Sequence, residues 1–315
     1  MVKPTRVAVI GGGHLGRFHA QKFAAMDNCH LVGVCDLNKE QAHKVATEVG
    51  ASAFFDYKDL LGQVDAVLIA TPTTTHFEVA KFFLENNIHV HVEKPLTETV
   101  AQAEELCFLA KTKHLVLQVG HVERFNPALV AAKDKLGVPL FLEVHRLAPF
   151  KPRSIDVDVV LDLMIHDLDV VMSLVKSPVK SVSAVGTPVL TKTYDIANVR
   201  LEFESKAVAN LTASRVSLNS TRKFRVFQKS QYLSIDFGSG EVHLTTKTGE
   251  WVPGEEPPLS IESWNLEKGD ALMAEDKAFI SAVRGEGPCL VTGEDGLNAL
   301  RVAELIRADI AKRLL

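Results

Sequence analysis

Four cysteines, Cys29, Cys35, Cys107 and Cys289, are all that this sequence of 315 residues contains. They form no CxxC pair and no metal-ligand spacing, which excludes a disulfide scaffold or a zinc module as the organising principle. Thiols used this sparingly fit a reducing, cytoplasmic setting. Long apolar runs are missing as well, since no stretch approaches the roughly 18 residues of a membrane span. The first residues pass from a short basic stretch straight into an apolar strand and a glycine turn. The apolar core and small-residue cleavage site of a secretory signal are absent. Nor is either charge in excess: Lys plus Arg number 35 against 39 Asp plus Glu, a net of −4. With no basic half and no acidic tail, neither a nucleic acid nor a membrane surface is an expected partner. Internal repeats and low-complexity tracts are also lacking. What remains is a chain that is 46% hydrophobic, enough for a sizeable core and, at this length, for about two domains.

Residues 6–120 alternate short apolar runs with amphipathic stretches. The runs at 6–10, 31–35, 66–70, 88–92 and 115–119 are rich in Val, Ile and Leu, as strands covered on both faces are. Helical patterns occupy 15–26, 39–49, 77–86 and 100–112. Strict alternation implies right-handed crossovers, and hence an α/β domain of residues 1–120 with a Rossmann-type, doubly wound parallel sheet. Residues 121–315 read differently. Helical patterns at 126–136 and 159–174 accompany period-two runs at 140–147, 181–186, 197–203, 207–214, 224–227, 232–236 and 242–246. The tail returns to helix at 271–284 and 295–314, and residues 251–258 read as a surface loop. The expectation is a C-terminal α+β domain whose largely antiparallel, open sheet serves substrate binding and oligomerisation. An uncovered sheet face suits a homodimer or homotetramer.

The stretch Gly11-Gly12-Gly13-His14-Leu15-Gly16 matches GxGxxG through Gly11, Gly13 and Gly16. It follows a strand and opens a helix, as a dinucleotide site requires. Gly11 permits the tight turn, Gly13 lets the backbone approach a pyrophosphate, and Gly16 allows close helix–strand packing. The helix N-terminus, beginning at His14 and Leu15, offers unpaired N–H donors to the anion. Asp36 lies 20 residues after Gly16 at the end of the second strand, where a carboxylate binds ribose hydroxyls. No Arg follows it to meet a 2′-phosphate, which favours NAD. Lys39 leaves NADP open.

Ligands of an open parallel sheet lie beyond the carboxyl ends of its strands. The loop 70–76, with Thr71, Pro72 and His76, falls there, as does Glu93-Lys94-Pro95. Thr71, Pro72, His76, Glu93 and Lys94 are therefore candidate cofactor contacts, and Lys94 beside a nicotinamide is also a candidate catalytic group. His89, His91 and Glu93 share one strand face, but no further ligand motif completes a zinc site and no metal is expected. In the second half, Asp162, His166 and Asp169 fall at i, i+4 and i+7 of a helical pattern and stack on one face. A carboxylate one turn from a histidine fixes its tautomer and raises its basicity, as a general base needs. A solvated acidic face is the alternative.

The combination of GGGHLGRFHA, Asp36, TPTTTH, EKPLTET, GHVERFNP and DLMIHDLD resembles the Gfo/Idh/MocA oxidoreductase family over nearly the whole chain. The family's EKP lysine maps onto Lys94 and its DxxxH pair onto Asp162 and His166. Val160 and Leu161 stand where a glycine pair often precedes that aspartate. GHVERFNP with DVDVVLDLMIHDLD resembles, more narrowly, the branch that oxidises the 3-hydroxyl of a UDP-N-acetylhexosamine. The resemblance implies an NAD-dependent dehydrogenase acting on a CH–OH group of a sugar, with a nucleotide sugar as substrate and a 3-keto sugar as product. His166 would be the base, oriented by Asp162, and Lys94 would stabilise the alkoxide, although the reverse assignment stays open. On this reading Glu123, Arg124 and Asn126 bind sugar hydroxyls, and Lys151 and Arg153 meet a diphosphate. Arg124 reads equally as a structural ion-pair residue. An inositol dehydrogenase-like activity on a free sugar or polyol is an alternative. A non-catalytic dinucleotide-binding regulator, or a glycosidase with tightly held NAD, is another.

Overall fold

The structure, a computed structural model, describes residues 3–152, 157–267 and 269–313. In chain order come β1 (Thr5–Ile10), α1 (His14–Ala24), β2 (Cys29–Cys35), α2 (Lys39–Val49), β3 (Ser52–Phe54) and β4 (Ala66–Ile69). Next are α3 (Thr73–Glu85), β5 (His89–Glu93), α4 (Val100–Thr112) and β6 (Leu117–Gly120). A short α5 (Pro127–Ala132) and β7 (Phe141–Leu147) precede a π-helical turn, Val160–Met164, that runs into α6 (Ile165–Val175). Then follow β8 (Val179–Thr187), β9 (Ile196–Phe203), β10 (Val208–Ser214), β11 (Thr221–Gln228), β12 (Gln231–Asp236), β13 (Glu241–Lys247) and β14 (Leu259–Asn265). Two helices close the chain, α7 (Ala271–Val283) and α8 (Gly293–Arg313).

The chain divides into two compact units. The first holds residues 1–122 and 270–300, the second 123–269 and 301–315. Residues 270–300, which the sequence pattern groups with the second half, therefore belong with the first. The physical reason lies in side chains far apart in sequence. Phe279 and Ile280 of α7 are fully buried among Val7, Phe23 and Leu68. The Gln118 amide donates to the Glu275 carbonyl at 3.1 Å, and Asp276 meets His19 of α1.

The first unit's six-stranded sheet runs β3-β2-β1-β4-β5-β6, with every pairing parallel. It is the doubly wound sheet that the alternating pattern predicts. Val7, Val9, Val67, Leu68, Val90 and Val92 are fully buried, as strands covered by helices on both faces must be. The order reverses between β1 and β4, which opens the ligand crevice at their carboxyl ends. Local chemistry sets the helix ends. Asn38 caps α2 by accepting from the Glu40 and Gln41 amides, and Thr99 with Gln102 forms a capping box on α4. One boundary departs from expectation. Helix α3 begins at Thr73 rather than at 77, so half of the expected loop 70–76 is its first turn.

The second unit's sheet has eight strands in the order β14-β13-β12-β11-β7-β10-β9-β8. Only β7 and β10 pair in parallel; the other neighbours are antiparallel. Strand β9 shows the two-faced pattern, burying Ala197, Val199, Leu201 and Phe203 and exposing Asn198, Arg200 and Glu202. Val160, Met164, Leu168 and Val171 cover the buried face, joined by Ile306 and Ile310 of α8. Strands β3 and β14 have no counterpart in the sequence reading. Both lie at sheet edges, and the alternating residues of β14 are almost all exposed, so hydrophobic periodicity is weak there.

Replacing Phe279 by Ala is expected to destabilise the first unit by about 3–5 kcal/mol, the usual loss for a fully buried phenylalanine. Denaturant unfolding followed together with NAD binding checks this. A variant of native stability would remove α7 from that core.

Candidate functional site

The first unit gathers the expected cofactor residues at the carboxyl ends of β1, β2, β4 and β5. Gly11 adopts φ +97°, and a Cβ there would lie 2.5 Å from the Ala70 carbonyl oxygen. At Gly16 a Cβ would collide with the Gly11 carbonyl oxygen. These two glycines let β1, the loop after β4 and α1 converge. Gly13, the N-cap of α1, makes no side-chain cap, and a Cβ there would meet nothing within 4 Å. The helix N-terminus thus faces an open cradle of the kind an anion fills. Asp36 stands beside it, accepting from the Gly12 and Asn38 amides, each at 2.8 Å. Lys39 lies with its ammonium over the Phe55 ring, 5.2 Å from the centroid. The donors of α1, the open cradle and the Asp36 carboxylate together fit a dinucleotide.

The remaining expected contacts divide. Leu15 is exposed, and the His14 ring packs edge-on against Phe18. The Thr75 hydroxyl donates to that of Thr71 at 2.8 Å, and Pro72 stays exposed. His76 is buried: Nδ1 lies 2.9 Å from the Pro95 carbonyl oxygen and Nε2 2.9 Å from that of Thr71. It ties the loops after β4 and β5 together from inside, and burial lowers its pKa despite the two carbonyls. Lys94 is half-buried at the end of β5. Glu93 points away from the crevice into the protein, where its carboxylate meets His19 Nε2 at 3.0 Å.

Sequence reasoning missed His19 and Asp276. His19 Nδ1 sits 2.8 and 2.9 Å from the two Asp276 oxygens, and both side chains are fully buried. Burial disfavours the imidazolium, but Asp276 and Glu93 outweigh it and carry the His19 pKa up to about 10. His91, edge-on to His19, is instead driven down to about 3 by burial and by its charged neighbour. His19, Glu93 and Glu275 do place donor atoms within 4.8 Å of one another. The contacts of His19 with Asp276 and Glu93 make the cluster a buried ion network. The available signal was the place of His19 on the inward stripe of α1, one turn before Phe23.

In the second unit the expected stripe is split. Asp162 lies in the π-helical turn and His166 in α6, so the pitch changes between them. Asp169 is buried and bound by Arg124 at 2.7 and 3.0 Å, which makes Arg124 an ion-pair residue. Asp167, buried beside it, is gripped by Arg146 through two 2.7 Å contacts. Arg146 also donates to Glu123 at 3.0 Å. Asn126 donates to Glu123 and caps α5. The structure therefore gives Glu123, Arg124 and Asn126 partners within their own unit. Asp162 lines a cavity of about 130 Å³ shared with Arg146, Lys151, Arg215, Ser220 and Arg222. Lys151 and Arg222 are exposed, while Arg215 pairs with Asp195 at 3.1 Å. Arg222 lies on strand β11 and borders this cavity. Arg153 lies outside the described residues. A cavity of about 430 Å³ in the first unit, beside Asp65, Asn87 and His89, opens at the amino ends of β4 and β5. That is the wrong end of a parallel sheet for its ligand.

Two family models match the chain. Residues 5–121 fit an oxidoreductase family with an NAD-binding Rossmann fold, and residues 131–232 fit the GFO/IDH/MocA C-terminal domain. The chain belongs to the Gfo/Idh/MocA oxidoreductase family. It is 42% identical over 306 residues to the UDP-N-acetylglucosamine 3-dehydrogenase of Acidithiobacillus ferrooxidans, covering 97% of each chain. A solved structure of that enzyme superposes with a TM-score of 0.92 at 41% identity over 99% of both chains. An inositol 2-dehydrogenase of Rubrobacter xylanophilus is 32% identical, over 96% of this chain and 90% of that one. The scyllo-inositol dehydrogenase of Lactobacillus casei, solved with NAD(H) and scyllo-inositol, shares the fold at a TM-score of 0.82. Its identity is 20%, over 99% and 98% of the two chains. As a member of this family, the chain is an NAD-binding oxidoreductase, and among the described residues no helix is long and apolar enough to cross a membrane.

Asp36→Ala is expected to weaken NAD binding roughly 10–100-fold, the loss of charge-assisted hydrogen bonds to the ribose. Calorimetric titration checks it. A second expectation concerns pH. His19 has a folded pKa near 10 against an ordinary 6.5, so its stabilising contribution is complete below pH 6.5 and is lost as the pH rises through about 10. The melting temperature of the wild-type chain should fall between those limits more steeply than that of His19→Gln. Parallel declines would contradict the assignment.

Proposed function

We propose that this protein oxidises the 3-hydroxyl of a UDP-N-acetylhexosamine to a keto group, with NAD as the hydride acceptor. The observation that carries the substrate class is the cavity beside Asp162, whose open rim bears Lys151 and Arg222. Arg146 and Arg215 are buried and matched by carboxylates, whereas Lys151 and Arg222 are exposed, Arg222 reaching Glu123 only at 3.6 Å, and both suit a diphosphate. A free polyol offers no charge to meet them, which weighs against the inositol-type alternative. The 42% identity to a UDP-N-acetylglucosamine 3-dehydrogenase supports the same substrate and the position oxidised. Glu123, Arg124 and Asn126 are assigned to holding the second unit together.

NAD held at the glycine turn supplies the hydride acceptor. His166 takes the hydroxyl proton, and Asp162 orients its ring. Lys94 is assigned to stabilising the negative charge that develops on the oxygen. Holding these groups in place before reaction removes reorganisation from the barrier. We read the protein as a cytoplasmic homodimer or homotetramer. Supporting association, Phe141, Phe227 and Tyr232 form an aromatic row on the solvent side of the second sheet, with centroids 5.4 and 4.8 Å apart.

The test combines ligand binding with turnover. UDP-N-acetylglucosamine should raise the melting temperature and reduce NAD, giving a product two hydrogens lighter, while free N-acetylglucosamine and inositol remain inert. Lys94→Ala and His166→Asn should each lower kcat by roughly 10²–10⁴-fold and leave NAD affinity intact. Turnover of free inositol with UDP-sugars inert would refute the substrate. Near-native turnover in both variants would refute the mechanism.

A further inference from the structure

Glu93 divides its carboxylate between two tasks. Oε1 lies 3.0 Å from His19 Nε2, while Oε2 accepts from the Lys94 backbone N–H at 3.1 Å. His19 is held on its other side by Asp276 of α7 at 2.8 Å, and all three side chains are buried. Glu93 faces Gly120 of the neighbouring strand β6 in register. A Cβ at Gly120 would come within 3.0 Å of the Glu93 carboxyl group, so the bare backbone there makes room for it. His91 of β5 and Glu275 of α7 complete the buried titratable surroundings. The route from Asp276 to Lys94 is therefore an unbroken line of polar contacts across α7, α1 and β5.

We propose that His19 and Glu93 are a positioning pair, His19 anchored on Asp276 fixing the Glu93 carboxylate, and that carboxylate fixing the root of Lys94. The inference rests on reading Lys94 as a catalytic group. Geometry gives the pair one role: it sets where the Lys94 side chain leaves the backbone. Charge gives it another. The Glu93 carboxylate, pulled below its usual range against burial by its hydrogen bond with His19 and by nearby positive charge, is an anion beside the Lys94 ammonium.

Two variants separate geometry from charge. Glu93→Gln keeps the shape and removes the anion. It should lower kcat roughly tenfold or more, with KM for UDP-N-acetylglucosamine and NAD affinity nearly unchanged. Loss of an anion beside the site should also move the basic limb of the kcat–pH profile to lower pH. Gly120→Ala crowds the carboxylate and leaves every charge in place. It should lower kcat in the same way without moving that limb, and it carries the kinetic test if Glu93→Gln does not fold. In the wild-type chain, nitrogen NMR at about pH 8.5 should show a histidine protonated on both ring nitrogens. Variants that lose only thermal stability, with kcat and pH profile native, overturn the inference, as do twelve neutral histidines. If Lys94→Ala itself retains turnover, the reading of Lys94 as a catalytic group falls and this inference with it. An inactive Lys94→Ala beside a native-like Glu93→Gln overturns this inference alone.

Discussion

A histidine ring with a carboxylate at each nitrogen, sealed inside the first unit, is the constraint to which the rest of that unit answers. Removing charged groups from water costs several kcal/mol each, and breaking such a pair leaves a buried charge worth about 3–5 kcal/mol of destabilisation. His19, Glu93 and Asp276 must therefore stay together. That requirement joins α1, β5 and α7, three elements spread over more than 250 positions (His19 and Asp276 are 257 apart). It explains why residues 270–300 return to the first unit. It also couples the helix that opens at the glycine turn to the strand that ends just before Lys94.

The second unit follows the same rule, again with a buried cation at its centre. Arg146 occupies an inward position of β7, where Leu142 and Val144 mark the buried face. A guanidinium there needs anions, and Asp167 and Glu123 supply them. This pairing fixes α6 against its sheet, while Arg124 fixes it again through Asp169. With two of its carboxylates committed to structure, the acidic segment leaves Asp162 at the cavity and His166 half-buried on α6. The π-helical turn carrying Asp162 is the kind of local distortion often retained where a side chain must be re-aimed.

The parallel sheet and the glycine turn with Asp36 beside it were legible because each follows from short-range pattern. Alternating apolar runs specify strands, and glycine spacing specifies a turn that the chain must make. The partners of buried charges were not legible. Nothing local to Glu93 announces that it turns inward to His19, and nothing near Asp276 names α1 as its destination. Arg124 shows the same limit from the other side. Its two readings, sugar ligand and ion-pair residue, are indistinguishable until Asp169 is placed beside it. Pattern also failed for β14, whose side chains bury too little to impose a period.

The account's central claim is that hydride leaves C3 of a nucleotide-linked N-acetylhexosamine for NAD. The most direct measurement uses UDP-N-acetylglucosamine carrying deuterium at C3, incubated with the enzyme and NAD in a single turnover. The claim requires the deuterium to appear in the reduced nicotinamide, with a 3-keto nucleotide sugar as product. Deuterium retained on the sugar, or reduced cofactor formed without label, would contradict it.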